Sequence, residues 1–113
     1  MKKKIAILGS TGSIGKTLLN IISRDKKNFQ IVLLTANKNY KLLLKQSESY
    51  NVKNIIISKK HIESVKSKNH LFDILFDCTS AKFHNQNRKL FKKLKKKIIN
   101  LTPSPHGQIC VPA

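Results

Sequence analysis

Short apolar runs alternate along the chain with stretches in which apolar residues return every three or four positions. Residues 4–8, Lys-Ile-Ala-Ile-Leu, form the first run, a buried strand that ends at a glycine turn. From Ser13 the apolar residues Ile14, Leu18, Ile21 and Ile22 predict a helix, and Arg24 and Lys26 suit its carbonyl end. Residues 30–35 predict a second strand, and Tyr40, Leu43 and Leu44 mark a second helix running to about Tyr50. Residues 54–58 and 73–77 predict a third and a fourth strand, separated by a polar, lysine-rich weak helix or loop over 59–69. Residues 85–95 predict a helix with Leu90, Phe91 and Leu94 inward and lysines outward. The fifth strand, 97–101, is expected to stop at Pro103 and Pro105.

Continuous apolar strands separated by helical patterns indicate βαβ units and a parallel sheet covered on both faces. Right-handed crossovers make it α/β and Rossmann-like, a doubly wound sheet of about five strands in the order 3-2-1-4-5. Residues 1–113 then form a single dinucleotide-binding domain without its catalytic domain.

The segment Gly9-Ser-Thr-Gly12-Ser-Ile-Gly15 follows the first strand and opens the first helix, the context a dinucleotide fingerprint requires. Gly9 permits the tight turn, Gly12 lets backbone N–H groups approach a pyrophosphate, and Gly15 lets helix and strand pack closely. Ser10, Thr11 and Ser13 are expected to add hydroxyl donors to the unpaired N–H groups of the helix start. A second pattern uses the same residues: Gly15-Lys16-Thr17 approaches the phosphate loop GxxxxGK[ST], with Asp77 as a magnesium-holding acid. That motif puts its first glycine where this chain has Ser10, so the nucleotide triphosphatase alternative fails at one required position. An NAD site usually carries an acid at the end of the second strand. Here that place has Thr35-Ala-Asn37-Lys38-Asn39, a cation and two amides that suit a 2′-phosphate, so NADP is favoured and NAD is the alternative.

Residues 7–15 with Ala36-Asn-Lys-Asn39 and the helix from Lys41 to Tyr50 resemble the N-terminal NADPH-binding domain of deoxyxylulose-phosphate reductoisomerase, an enzyme of isoprenoid biosynthesis. The resemblance spans roughly residues 1–58. It implies that Thr11, Gly12, Ser13 and Ile14 meet the NADPH pyrophosphate and that Asn37, Lys38 and Asn39 hold the adenosine phosphate end. The family usually has glycine where this chain has Asn37. Residues 72–113 resemble instead the cofactor domain of acylating acetaldehyde dehydrogenase, through Phe76-Asp-Cys-Thr-Ser-Ala81, His84, Asn87, Asn100-Leu-Thr-Pro103 and Cys110-Val-Pro112. That resemblance implies that the loop from Thr79 through Ser80 to Ala81 lies along the cofactor, and that Cys110 matches a non-catalytic position. Both resemblances imply a nicotinamide dinucleotide site and hydride transfer to a carbonyl substrate; they differ in the reaction.

Catalytic chemistry is not legible. The acids are scattered, and Asp73 and Asp77, four apart on a strand, suit a structural role better than metal ligation. Cys78 suits core filling, and His84 and His106 suit the surface. Cys78 and Cys110 have no CxxC spacing and fit a reducing compartment. The start, Met-Lys-Lys-Lys followed by apolar residues, is superficially like a signal peptide, but the run breaks at Gly9 without a cleavage site. A cytoplasmic protein is expected, and no run approaches a membrane span.

Charge enters last. The 113 residues carry 23 Lys+Arg against 5 Asp+Glu, a formal net charge of +18. This invites a basic, non-enzymatic nucleic-acid-binding module. The basic residues are nearly all lysine, spread from end to end and accompanied by Asn and Ile, as AT-rich coding would produce. A nucleic-acid surface more often uses Arg with interleaved aromatics. The charge is therefore compositional background except at Lys38.

Overall fold

The computed structural model describes residues 2–57, 61–103 and 109–110. Its strands are β1 (Lys3–Leu8), β2 (Phe29–Ala36), β3 (Asn54–Ile57), β4 (Ile74–Asp77) and β5 (Lys97–Asn100). They form one sheet in the order β3-β2-β1-β4-β5, with every described pairing parallel. The expected topology is therefore found, with strand ends moved by a residue. The third strand's expected last residue, Ser58, lies outside the described residues, as do Pro105 and His106.

Alternation along β1 explains the two-layered core. Ile5 and Ile7 point to one face, where Leu19 and Ile22 of α1 (Ser13–Ser23) and Leu43 of α2 (Tyr40–Ser49) cover them. Ala6 and Leu8 point to the other, against Val65 of α3 (His61–Lys66) and Phe91 of α5 (Arg88–Lys93). Each fully buried Leu or Ile contributes about 1.5–3 kcal/mol of transfer free energy. Central strands buried on both faces are why periodicity two is absent from their sequences.

The phase of α1 differs from the expected stripe. Gly15, Leu19 and Ile22 are its buried residues, and Ile21 is 59% exposed. The helix is rotated so that Gly15 faces the strand-turn: a Cβ there would stand 2.2 Å from the Gly9 carbonyl oxygen. Leu19 and Ile22 follow Gly15 at i+4 and i+7; Ile21 falls off that line. The helix expected over 85–95 is two short ones, α4 (Ala81–Gln86) and α5. Asn87 breaks it, with φ −111° and ψ 16°, and its side-chain amide donates to the Phe83 carbonyl at 2.8 Å. Phe91 and Leu94 do point inward, and Leu90 is half-buried. The weak helix expected over 59–69 is present as α3, followed by a 3₁₀ turn at Asn69–Leu71. Pro103 does not end extended structure. It lies in β6 (Thr102–Pro103), which pairs antiparallel with β7 (Ile109–Cys110) in a separate ribbon, where a proline is tolerated. Among the described residues no helix is long and apolar enough to cross a membrane.

Candidate functional site

The carboxyl ends of β1 and β4 open onto a cleft of about 340 Å³ lined by Gly9, Thr11, Gly12, Asn37, Cys78, Thr79, Ser80 and Phe83. Its position follows from the strand order. The crossovers from β1 and β4 leave the sheet on opposite faces, so a crevice forms between them.

The three glycines of the loop answer different demands. Gly9 has φ +78°, the left-handed region that favours glycine, and its N–H donates to the Thr35 carbonyl at 3.0 Å. Gly15 is fixed by helix packing, as the 2.2 Å approach shows. Gly12 is different. Its φ of −75° and ψ of 171° suit any residue, and a Cβ added there would meet only the Gly9 carbonyl oxygen, at an ordinary 3.7 Å. Among the described residues nothing in the packing requires glycine at this position.

Gly12 is also the N-cap of α1, and no side chain caps the helix. The N–H groups of Ser13, Ile14 and Gly15 have no acceptor among the described residues, and the first turn holds no acidic residue. An uncapped helix start concentrates donors and the positive end of the dipole at one point, which suits an anion.

Of the residues expected here, Gly9, Thr11, Gly12, Asn37, Thr79 and Ser80 line the cleft, while Ser13 and Ile14 form the first turn of α1, Ser13 exposed and the Ile14 side chain half-buried against the core. Ser10 does not reach it. Ser10 is fully buried, its hydroxyl donating to Gln46 Oε1 at 2.8 Å while Gln46 Nε2 donates to the Ser10 carbonyl at 2.9 Å. The expected phosphate-donating role of this hydroxyl is therefore corrected: it ties the glycine loop to α2. Asn39 caps α2, accepting from the Leu42 N–H at 3.2 Å, and Lys38 is exposed on the rim beyond β2. Ser80 caps α4 by accepting from the Phe83 N–H at 3.1 Å.

The phosphate-loop alternative does not fit this geometry. Lys16 and Thr17 lie on the outer side of α1 with Asn20 and Arg24, and the Thr17 hydroxyl donates to the Ser13 carbonyl at 3.0 Å. Asp77 cannot serve as its magnesium ligand either. It is fully buried, and Oδ1 accepts from the Thr79 N–H at 3.0 Å and from the Thr79 hydroxyl. Oδ2 accepts from His84 Nδ1 at 2.8 Å and Asn100 Nδ2 at 3.0 Å. Four donors fill its lone pairs. This cluster was not legible as a unit, because its members come from β4, the loop after it, α4 and β5. His84, expected at the surface, is half-buried, stacked on Phe91 with centroids 4.9 Å apart. Asp73, expected on β4, precedes the strand, is exposed, and accepts from the Lys4 N–H at 2.9 Å. Burial, reinforced by the Asp77 carboxylate, pushes the Cys78 thiol up to about 12, which makes it an inert core residue. Among the described residues no group of three or more His, Cys, Asp or Glu side chains could hold a metal ion.

A family model described as 1-deoxy-D-xylulose 5-phosphate reductoisomerase matches residues 5–100. The chain belongs to this family. The reductoisomerase of Pelagibacter ubique is 66% identical over 56 residues, which cover 50% of this chain and 14% of that protein. The chain is also similar to the acetaldehyde dehydrogenase of Burkholderia pseudomallei, 32% identical over 111 residues covering 98% of this chain and 36% of that protein. The chain thus spans only a small part of the reductoisomerase and about a third of the dehydrogenase. Among solved structures, the Zymomonas mobilis reductoisomerase in complex with NADPH superposes with a TM-score of 0.69 at 17% identity, over 91% of this chain and 32% of that one. That likeness supports the Rossmann-like fold. The two resemblances in the two halves of the sequence are thus both matched by relatives.

Proposed function

We propose that this chain is the NADP(H)-binding domain of an oxidoreductase of the reductoisomerase type, acting on a carbonyl substrate held by a domain beyond the described residues. Gly12 carries the assignment: glycine stands where the packing of the described residues leaves room for a side chain, directly in front of an uncapped helix start. The cleft fits a dinucleotide on this ground. Gly12 and the N–H groups of Ser13 and Ile14 would meet the pyrophosphate, with Thr11 beside them. Asn37 and Lys38, at the end of β2, would meet the adenosine ribose and its 2′-phosphate. Thr79 and Ser80 would face the nicotinamide end. A bound cofactor would supply the hydride chemistry, and this domain's residues would bind and orient it. The NADPH complex of the Zymomonas mobilis enzyme, a protein of the same fold, supports this choice of ligand.

A second assignment, the NAD-binding domain of an acylating aldehyde dehydrogenase, is favoured by the similarity to acetaldehyde dehydrogenase over almost the whole chain. Titration with NADPH, NADH and magnesium–ATP, followed by nucleotide fluorescence or thermal shift, separates the possibilities. NADPH should bind most tightly and Gly12→Val should abolish it. NADH binding at least tenfold tighter would favour the dehydrogenase assignment, and magnesium–ATP binding alone would sink both.

A further inference from the structure

Thr79 is held from two sides. Its Cγ2 packs over Gly9, where an added Cβ would approach it to 3.1 Å, and its hydroxyl donates to the buried Asp77 carboxylate. Asp77 is an acceptor only, and its other oxygen is already engaged by His84 and Asn100. The one proton of the Thr79 hydroxyl is therefore directed away from the cleft, while Thr79 itself lines it. A hydroxyl in this state offers a ligand acceptor lone pairs and no donor.

We propose that Thr79, polarised by Asp77, is a specificity-determining hydrogen-bond acceptor that selects a hydroxyl or amide N–H donor on the ligand and does not itself donate to phosphate. The inference rests on the dinucleotide assignment and deepens it. The Thr79 side chain then differs in polarity from the loop around Gly12. Around Gly12 unpaired N–H groups donate, which suits the pyrophosphate; at Thr79 an oxygen accepts, which suits the nicotinamide ribose hydroxyls or the carboxamide. Asp77 acts through Thr79 and is a positioning residue, and His84 and Asn100 hold its second oxygen in place.

The test compares Thr79→Val with the unmodified chain against three probes: NADPH, adenosine 2′,5′-bisphosphate and inorganic pyrophosphate. Valine keeps the methyl packing on Gly9 and puts a second methyl in place of the hydroxyl, leaving the Thr79 N–H on Asp77. NADPH affinity should fall by about three- to tenfold, the range for one neutral hydrogen bond. The other two affinities should stay within about twofold, since neither probe carries the nicotinamide end. Loss of pyrophosphate affinity in Thr79→Val would show the hydroxyl to be a donor to phosphate and overturn the inference, as would unchanged NADPH affinity. Should the valine variant not fold, Thr79→Ser against Thr79→Ala isolates the same oxygen, with serine expected to bind NADPH more tightly and equal affinities contradicting the proposal. If the unmodified chain binds no NADPH, the dinucleotide assignment fails and this inference with it. If it does bind and Thr79→Val changes nothing, only this inference fails.

Discussion

Alanine at Gly12 and alanine at Gly15 should have opposite consequences, although the residues are three apart in one motif. At Gly15 the new Cβ would stand 2.2 Å from the Gly9 carbonyl oxygen and 2.7 Å from the Ser10 Cα, both backbone atoms that cannot rotate away. Relief requires α1 to move off β1, disturbing Leu19 and Ile22, so a loss of about 1–3 kcal/mol or more follows from overpacking alone. At Gly12 the backbone is already in a region alanine adopts, and the nearest atom is 3.7 Å away. Reduced unfolded-state entropy contributes about 0.4–1 kcal/mol of stability. The weaker N-capping of alanine costs about as much. Gly12→Ala should therefore unfold within about 1 kcal/mol of the unmodified chain in urea. It should nevertheless weaken NADPH by about tenfold or more, because the methyl occupies the approach to the helix N–H groups. Both variants are measured by urea unfolding and by NADPH fluorescence titration. A Gly12→Ala protein that binds NADPH normally would refute the assignment of Gly12 to the ligand. One that unfolds as easily as Gly15→Ala would show that the packing, too, demands this glycine.

Asp77→Ala should cost about 3 kcal/mol in urea unfolding, because it leaves the buried Asn100 amide and the part-buried donors of Thr79 and His84 without their acceptor; a loss below about 1 kcal/mol would contradict the network. Cys78 should resist thiol reagents in the folded chain at pH 8 and react once the chain is unfolded. Its thiol is raised from 9.0 to about 12, so the unfolded state loses the proton first and the Cys78 contribution to stability falls between pH 9 and about 12. Cys78→Ser should flatten that part of the stability profile, and an unchanged slope would count against the assignment. Lys38→Ala should lower NADPH affinity by about tenfold and leave NADH unaffected, with the difference shrinking in high salt. Equal losses for the two cofactors would remove the 2′-phosphate from Lys38.

The strand order and the glycine loop were legible because both depend on short-range pattern. Apolar runs of four to six residues alternate with helical spacing, and the three glycines lie together in one short segment between strand and helix. What the sequence hid depends on contacts distant along the chain. Ser10 looks like a loop hydroxyl until Gln46, 36 residues later, is seen to engage it in the interior. Gln46 follows Leu43 by three residues, so a polar residue on the buried stripe of α2 was the available signal. Hydrophobicity alone weights Ile21 equally with Leu19, whereas Gly15 decides which side of α1 faces the sheet. The Asp77 cluster joins four segments and carries no local signature. The break at Asn87 was missed because Leu90, Phe91 and Leu94 keep helical spacing across only its second half.

The central claim is that an uncapped helix start behind Gly12 receives the dinucleotide pyrophosphate. Amide chemical-shift mapping of the chain during NADPH titration tests it residue by residue. The largest changes should fall on Thr11 to Gly15, with a second group at Thr79 and Ser80, and should saturate together. Changes centred on the lysine block from Lys92 to Lys97 with the glycine loop silent would contradict the account and return the charge of the chain to the centre of the question.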